Sequence, residues 1–461
     1  MSCLAKLLPI FVLAKCGSDA FATGTDAGGA DSTPTSCDLT KDPRDSPACI
    51  DDSVGVFGSV KGADTNPGTK AAPLATINAA LKKSPSRIYV CEGGYSSTTT
   101  ISAPVGIYGG FDCASWSYSA ARPKVTGSFA IVGATGVSLV DLEVASPDAA
   151  PGSGASSVAV RVSSSQKVSL RRMKLVAGNG GSGADGTLNA PTFTPVPSGL
   201  TATGPAPGGA VMVTCPSGET SVGGEGGAYM VDGSPGSPGK PNAGKYTGCV
   251  GGGKGGGPGA VGEAHAPALG AQRLGVLTAD GWTSEAGTNG LPGSPGQGGG
   301  GGSTTDMSVG GSGGGAGGCG GAGGGGGKGG GGSFGLAVID SAVTLRASAI
   351  ETKTGGAGGQ GVGGQGGQSM GGKGGHLMIP ASCDGGSGGG GGNGAAGGGG
   401  AGGVSIGVFY KGTAPDVDAD TQSNIKAGNA GPSGKGAGAS NDGIDGISST
   451  KPLACMTPSC G

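Results

Sequence analysis

Apolar residues in this chain recur at every second position in short bursts, and the bursts come in pairs separated by turn-forming residues. Phe129-Ala130-Ile131 precedes Val137 to Val144, and Ser157 to Val162 precedes Val168 to Leu175. Phe334 to Val338 precedes Val343 to Ile350, and Val404 to Phe409 precedes Val417 to Thr421. Period-two alternation gives a strand one buried and one wet face. One such pair alone is an unstable ribbon. The four copies are therefore expected to stack as layers of a single column, about 4.8 Å apart, with Val168, Leu170 and Met173 meeting their counterparts in a shared interior. The predicted class is all-β.

Upstream, Val54 to Ser59 reads as a short strand running into the turn cluster Gly62-Ala63-Asp64-Thr65-Asn66-Pro67-Gly68-Thr69. Thr76 to Leu81 reads as a short helix, with Ile77 and Leu81 on one face and Thr76 as N-cap. Strands follow at Arg87 to Cys91 and Val105 to Cys113. The strand, the G-x-D-x-N-P-G-T turn, the P-x-x-T-I-x-x-A-L helix (Pro73 to Leu81) and Tyr89-Val90-Cys91-Glu92-Gly93-Gly94-Tyr95 together resemble the opening module of bacterial right-handed parallel β-helix proteins. The resemblance covers Val54 to Cys113. It implies a short right-handed parallel β-helix, a solenoid, and the wider pectate-lyase-like family includes polysaccharide lyases, hydrolases, adhesins and passive surface proteins. Fold carries over from such a likeness better than activity does.

Composition changes the picture between the strand pairs. Glycine accounts for 113 of the 461 residues, concentrated at 178–333 and 355–403, and Gly310 to Gly332 holds 18 glycines in 23 positions. Ordering one residue's backbone costs about 1–2 kcal/mol, and glycine lies at the high end with no side chain to bury in return. Two outcomes survive that cost. Either the insertions are mobile linkers, or they are extended threefold helices, polyglycine-II-like, that pack closely and pair backbone to backbone. Gly317 to Gly324, Gly355 to Gly359 and Gly371 to Gly375 are similar to the glycine repeats of mycobacterial PE-PGRS proteins, although the helical PE domain of that family is absent.

Leu7 to Ala14 is an uninterrupted apolar stretch behind Lys6, the layout of a secretory signal and too short to cross a bilayer of about 30 Å. Leu13-Ala14-Lys15-Cys16 resembles the lipobox of bacterial lipoproteins, which implies Cys16 as a lipid anchor, although Lys15 departs from the small residue usual there. Outside this leader stand ten cysteines: Cys37, Cys49, Cys91, Cys113, Cys215, Cys249, Cys319, Cys383, Cys455 and Cys460. An even, well-spaced set without CxxC pairs in an exported chain reads as a disulfide framework. Pairing neighbours in order is the simplest connectivity, but the sequence leaves the choice open. The organisation expected is a signal peptide (1–16), a flexible linker (17–53), a cap with the first coils (54–146), further coils interrupted by the glycine insertions (156–450), and a tail (451–461).

Chemistry is thinly represented. A net charge of -2 offers no field for a phosphate backbone, which argues against nucleic acid. Lys254, Lys328, Lys373 and Lys435 are each followed by Gly, so no P-loop or nucleotide site is formed. With only His265 and His376, no His-rich metal site is expected. Asp416, Asp418 and Asp420 imitate half a calcium loop but lack its Gly and Glu, and are expected as solvated acids on a strand. Arg171, Arg172 and Lys174 form a small basic patch with no evident acidic partner. Tyr108, Trp116 and Tyr118 are expected to cover the end of the first coil. No catalytic residue, metal or cofactor is assigned. The expected role is non-enzymatic: structural, display or adhesive, in an exported protein of the bacterial outer membrane, cell surface or extracellular space. Its partners would be envelope or extracellular polysaccharide or other surface proteins, with membrane contact only through the N-terminal lipid. The alternatives are a polysaccharide lyase or hydrolase, and a carbohydrate-binding module using Trp116.

Overall fold

A computed structural model describes residues 36–238, 249 and 252–455, so the expected leader with Cys16, and Cys460, lie outside the described residues. The chain divides after Cys49. In the first unit the 3-10 turn Pro47–Cys49 is tied back by a Cys37–Cys49 disulfide.

In the second unit most strands lie in two curled parallel sheets, with two antiparallel two-stranded hairpins beside them. The first sheet runs Val56–Gly58, Arg87–Cys91, Val105–Phe111, Val137–Val140, Val168–Arg171, Val343–Arg346, Asp416–Val417. The second has two limbs. One contains Gly94–Ile101, Lys124–Val132, Ser157–Ser163, Ser333–Ile339 and Ser405–Lys411, with the short Ser448–Ser449 and Leu453–Ala454. The other contains Glu143–Ala145, Lys174–Val176, Ala349–Glu351 and Ile425–Lys426, and joins the first through the pairing of Lys124–Thr126 with Glu143–Ala145. The chain visits these three ladders in the same order on each later circuit.

Register explains why the apolar pattern demands this arrangement. Ile88, Ile107, Leu139, Leu170, Leu345 and Val417 follow one another in the first sheet. Phe129, Val160, Leu336 and Val408 do so in one limb of the second, and Val144, Leu175, Ile350 and Ile425 in the other. All of these pack in one core cluster. Burying an aliphatic side chain of this size contributes roughly 1.5–3 kcal/mol, and no single pair of strands could achieve it alone.

The cap follows the sequence at its helix, while Gly94–Ile101 is an eight-residue strand where none was expected. The helix α1, Ile77–Lys82, starts at Thr76, whose hydroxyl accepts from the Ala79 amide at 3.1 Å. The Asp64 carboxylate of the preceding turn accepts from the amides of Ala75 and Thr76 at 3.0 and 2.9 Å, fixing the turn against the helix start. Ile77 and Ala80 point into the column core.

Two expectations are corrected. The runs 137–144, 168–175 and 343–350, read above as single strands, each turn a corner at Asp141, Arg172 and Ala347, whose φ values are 55°, 52° and 49°. The left-handed residue turns the chain while the following Leu142 and Met173 stay buried, so the alternation conceals the bend. The run 417–421 is strand only as far as Val417. Asp418 accepts from the Thr421 amide at 2.9 Å and caps the short helix α2, Ala419–Ser423, because an Asp N-cap satisfies a helical amide that a strand would not offer.

Candidate functional site

The long excursions leave the column at one corner. The chain departs just after the short strands Lys174–Val176 and Ala349–Glu351 and returns at Ser333 and Ser405, and a shorter arc joins Ala145 to Ser157 at the same place. These serines stack in register with one another and with Ser448. Each hydroxyl donates to a carbonyl two residues past the departing strand: Ser157 to Pro147, Ser333 to Gly178, Ser405 to Lys353 and Ser448 to Gly428, all at 2.7 Å. Ser333 also accepts from the Lys353 amide at 3.0 Å, so the hydroxyl of one layer reaches into the next. The repeated serine at the head of each unit was the visible signal for this clamp, and alternation of apolar residues alone passes over it.

Beyond the corner the glycine tracts are ordered, and backbone bonds recur every third residue. Amides of Gly315, Gly318, Gly321, Gly324, Gly327 and Gly330 donate to the carbonyls of Gly386, Gly389, Gly392, Ala395, Gly398 and Ala401 at 2.8–3.0 Å. Gly356, Gly359, Val362, Gln365 and Gln368 donate to Gly331, Lys328, Gly325, Ala322 and Cys319. Gly287, Gly290, Gly293, Gly296 and Gly299 donate to Gly327, Gly324, Gly321, Gly318 and Gly315. The segment 315–330 is thus bonded to three neighbours at once. A Cβ on Gly324 would fall on the Val362 carbonyl oxygen, and one on Gly320 on that of Gly293, so glycine is a packing requirement there. Side chains add bridges to a further segment. Gln365 accepts from the Ala322 amide and donates to the Pro191 carbonyl, and Gln368 links the Cys319 amide to Thr194.

Covalent and aromatic contacts pin this array. Cys215 joins Cys319 and Cys249 joins Cys383, crossing the pairing of neighbours that simplicity favoured, while Cys91–Cys113 follows it. Cys455 is also disulfide-bonded. The hairpin Gly275–Thr278 and Gly281–Ser284 places Trp282 edge-on to Phe334 and Phe409, at 6.0 and 5.4 Å, clasping the outer face of the column.

The charged and aromatic residues singled out from the sequence are engaged structurally. The basic patch does have acidic partners, one layer away. Arg172 holds Asp141 through two hydrogen bonds of 2.8 Å, and Lys174 meets Glu143 at 3.2 Å, in register. Asp416 pairs with Arg346, Asp420 accepts from the Asn424 side chain, and Asp418 caps α2, so the three acids point to separate partners rather than converging. Hydrogen bonds from Thr421 hold the Asp418 carboxyl below the ordinary aspartate range, and bonds from the Asn179 amide and Lys353 do the same for Asp148. Trp116 is buried edge-on to Phe57 and donates to the Lys70 carbonyl at 3.2 Å, and Tyr108 and Tyr118 join the same cluster. His376 meets Asp384 at 2.7 Å, and no serine or cysteine among the described residues bonds to either histidine. Among the described residues no group of three His, Cys, Asp or Glu side chains could hold a metal ion, and no helix is long and apolar enough to cross a membrane.

Comparison with protein-family models, curated proteins and solved structures finds no match.

Proposed function

We propose that this is a non-enzymatic, exported protein of the cell envelope. On this reading its strands form a short right-handed parallel β-helix, and its polyglycine-II-like array is a rigid platform for display or adhesion. The observation that carries it is the glycine array. A linker role needs glycines to be free, whereas these are bonded at every third residue and closed by disulfides spanning 104 and 134 residues. Disulfides of that reach belong to oxidising compartments, which supports export. Ordering so much glycine is costly in entropy, and its return is a stiff surface of large extent.

Hydrogen exchange on the intact protein tests this. Amides of 315–330 and 386–401 should exchange as slowly as those of Val168–Arg171. Exchange at random-coil rates in the array would overturn the platform reading, and turnover of uronate polymers by the purified protein would overturn the non-enzymatic one.

A further inference from the structure

One row of the glycine array is filled only in part by the protein's own chain. Segments 287–303 and 311–330 run side by side, joined by the bonds from Gly287, Gly290, Gly293, Gly296 and Gly299. Along one end of the furrow between them lies the segment 221–227. Gly224 and Gly227 donate to the Gly299 and Gly302 carbonyls at 2.7 and 2.8 Å, and accept from the Gly314 and Gly311 amides at 2.8 Å. The Ser221 hydroxyl accepts from the next amide in line, Gly317, at 2.9 Å. There the segment turns away into its hairpin with Met212–Thr214.

The furrow goes on without it. In the same three-residue rhythm, the amides of Gly320 and Gly323 and the carbonyls of Gly293 and Gly290 have no hydrogen-bond partner among the described residues. At Gly323 and Gly290 the furrow widens into a cavity of about 380 Å³, lined also by Asp185, Thr187, Asn189 and Asn289. Asn289 shows what the row accepts: its side-chain carbonyl takes the Gly326 amide at 2.8 Å, as a strand's carbonyl would. No aromatic ring lines the cavity, so a sugar finds nothing to stack on. An extended peptide finds donors and acceptors already spaced for it, in the manner of a strand added to a sheet edge. The occupied part of the row also fixes the kind of peptide. A Cβ on Gly223 or Gly226 would fall on the carbonyl oxygen of Gly314 or Gly311, so a strand lying here carries glycine at every third residue.

We propose that this furrow binds an extended glycine-triplet segment of a partner protein, adding a strand by the pairing the array already uses on itself. This deepens the adhesive reading, and rests on it, by naming the class of partner. The test is fluorescence anisotropy of a labelled peptide of Gly-Ala-Ser triplets titrated with the full chain, with hydrogen exchange read at single amides. Saturable binding is expected, with exchange at Gly323 slowed at least about tenfold. A peptide whose central glycine is replaced by valine should bind at least about tenfold more weakly. The glycine peptide should lose as much on Asn189→Trp, whose indole fills the mouth of the cavity from an exposed position. The valine peptide needs no altered protein, so its result stands whatever that variant does to folding. No saturable binding overturns the proposal. So does binding that the valine peptide and the folded Asn189→Trp variant keep at full strength, or protection of Gly323 by cellohexaose and not by the peptide. Any of these failures, with slow exchange intact at bonded amides such as Gly321 and Gly324, would leave the platform reading standing.

Discussion

Asp141 and Arg172 face each other across two successive layers of the column, joined by a two-pronged ion pair with both side chains largely withdrawn from water. Both residues also carry positive φ at the corner between the first sheet and the second, so the pair bolts together two strained bends. Replacing Asp141 by Asn leaves the guanidinium without its counter-charge in a poorly hydrated place. Asp141→Asn is expected to lower stability by about 3 kcal/mol, read as a shift in the denaturant midpoint, and Asp141→Asn/Arg172→Gln should recover part of that loss.

Glycines of the array divide into those that must be glycine and those that need not be. Gly324→Ala drives a methyl into the Val362 carbonyl and should destabilise by several kcal/mol or prevent folding, since the obstacle is backbone on a bonded neighbour. At Gly363 a Cβ meets nothing within 4 Å and φ is unexceptional. Gly363→Ala should therefore be neutral or stabilise by roughly 0.4–1 kcal/mol through the unfolded chain. Thermal melting of the two variants side by side distinguishes them, and equal effects would contradict the close packing described.

Peptide mapping without reduction should recover Cys215 linked to Cys319 and Cys249 linked to Cys383. In the chain-entropy account a bridge closing about 100 residues contributes about 4–5 kcal/mol. Cys215→Ala/Cys319→Ala is thus expected to cause a large drop in melting temperature, accompanied by faster exchange in the array than in the column.

The serine clamp predicts a position-specific cost. Ser333→Ala removes the donor to the Gly178 carbonyl and the acceptor for the Lys353 amide, both at a buried site, and should cost about 1–3 kcal/mol. Ser96→Ala, on an exposed strand face, should change the midpoint little.

Acid should loosen the fold from the corner and the C-terminal layer. Asp148 and Asp418 titrate below the ordinary aspartate value of 3.8 because hydrogen bonds favour their ionised forms. A depressed native pKa means the stabilisation is fully present above the unfolded value and disappears as pH falls through the native one. Melting temperature should be level above about pH 5 and decline below about pH 4, less steeply in Asp418→Asn.

The column was legible in the sequence because its signal is local: Leu170 and Leu345 announce a buried face through the polar residues on either side of them. The α1 cap was legible for the same reason, with Thr76 and Asp64 speaking through familiar turn chemistry. The corners were hidden. A left-handed bend at Asp141 or Arg172 preserves the inward alternation, and although aspartate tolerates the left-handed region, arginine and the alanine at 347 do not advertise it. The array was legible only as an alternative between order and mobility, since a glycine tract carries no side chain to reveal its neighbours. What decided it was the three-residue rhythm of backbone bonds between segments far apart in the chain, together with Gln365 and Gln368, whose side chains tie in the segment at Pro191 and Thr194. The disulfides were open for a related reason: Cys215 reaches Cys319 because the segments of the array fold back on one another, and no spacing rule encodes that.

Since every long excursion starts and finishes at one corner, the reach of the array is decoupled from the architecture of its base. A triplet added to each of two facing segments would telescope the slab outward by roughly 9 Å, at about 3.1 Å per residue, while every layer of the base kept its neighbours. The distance between anchor and tip is then a quantity that replication slippage in repetitive codons could adjust in small, uniform steps, without a new core ever having to be invented.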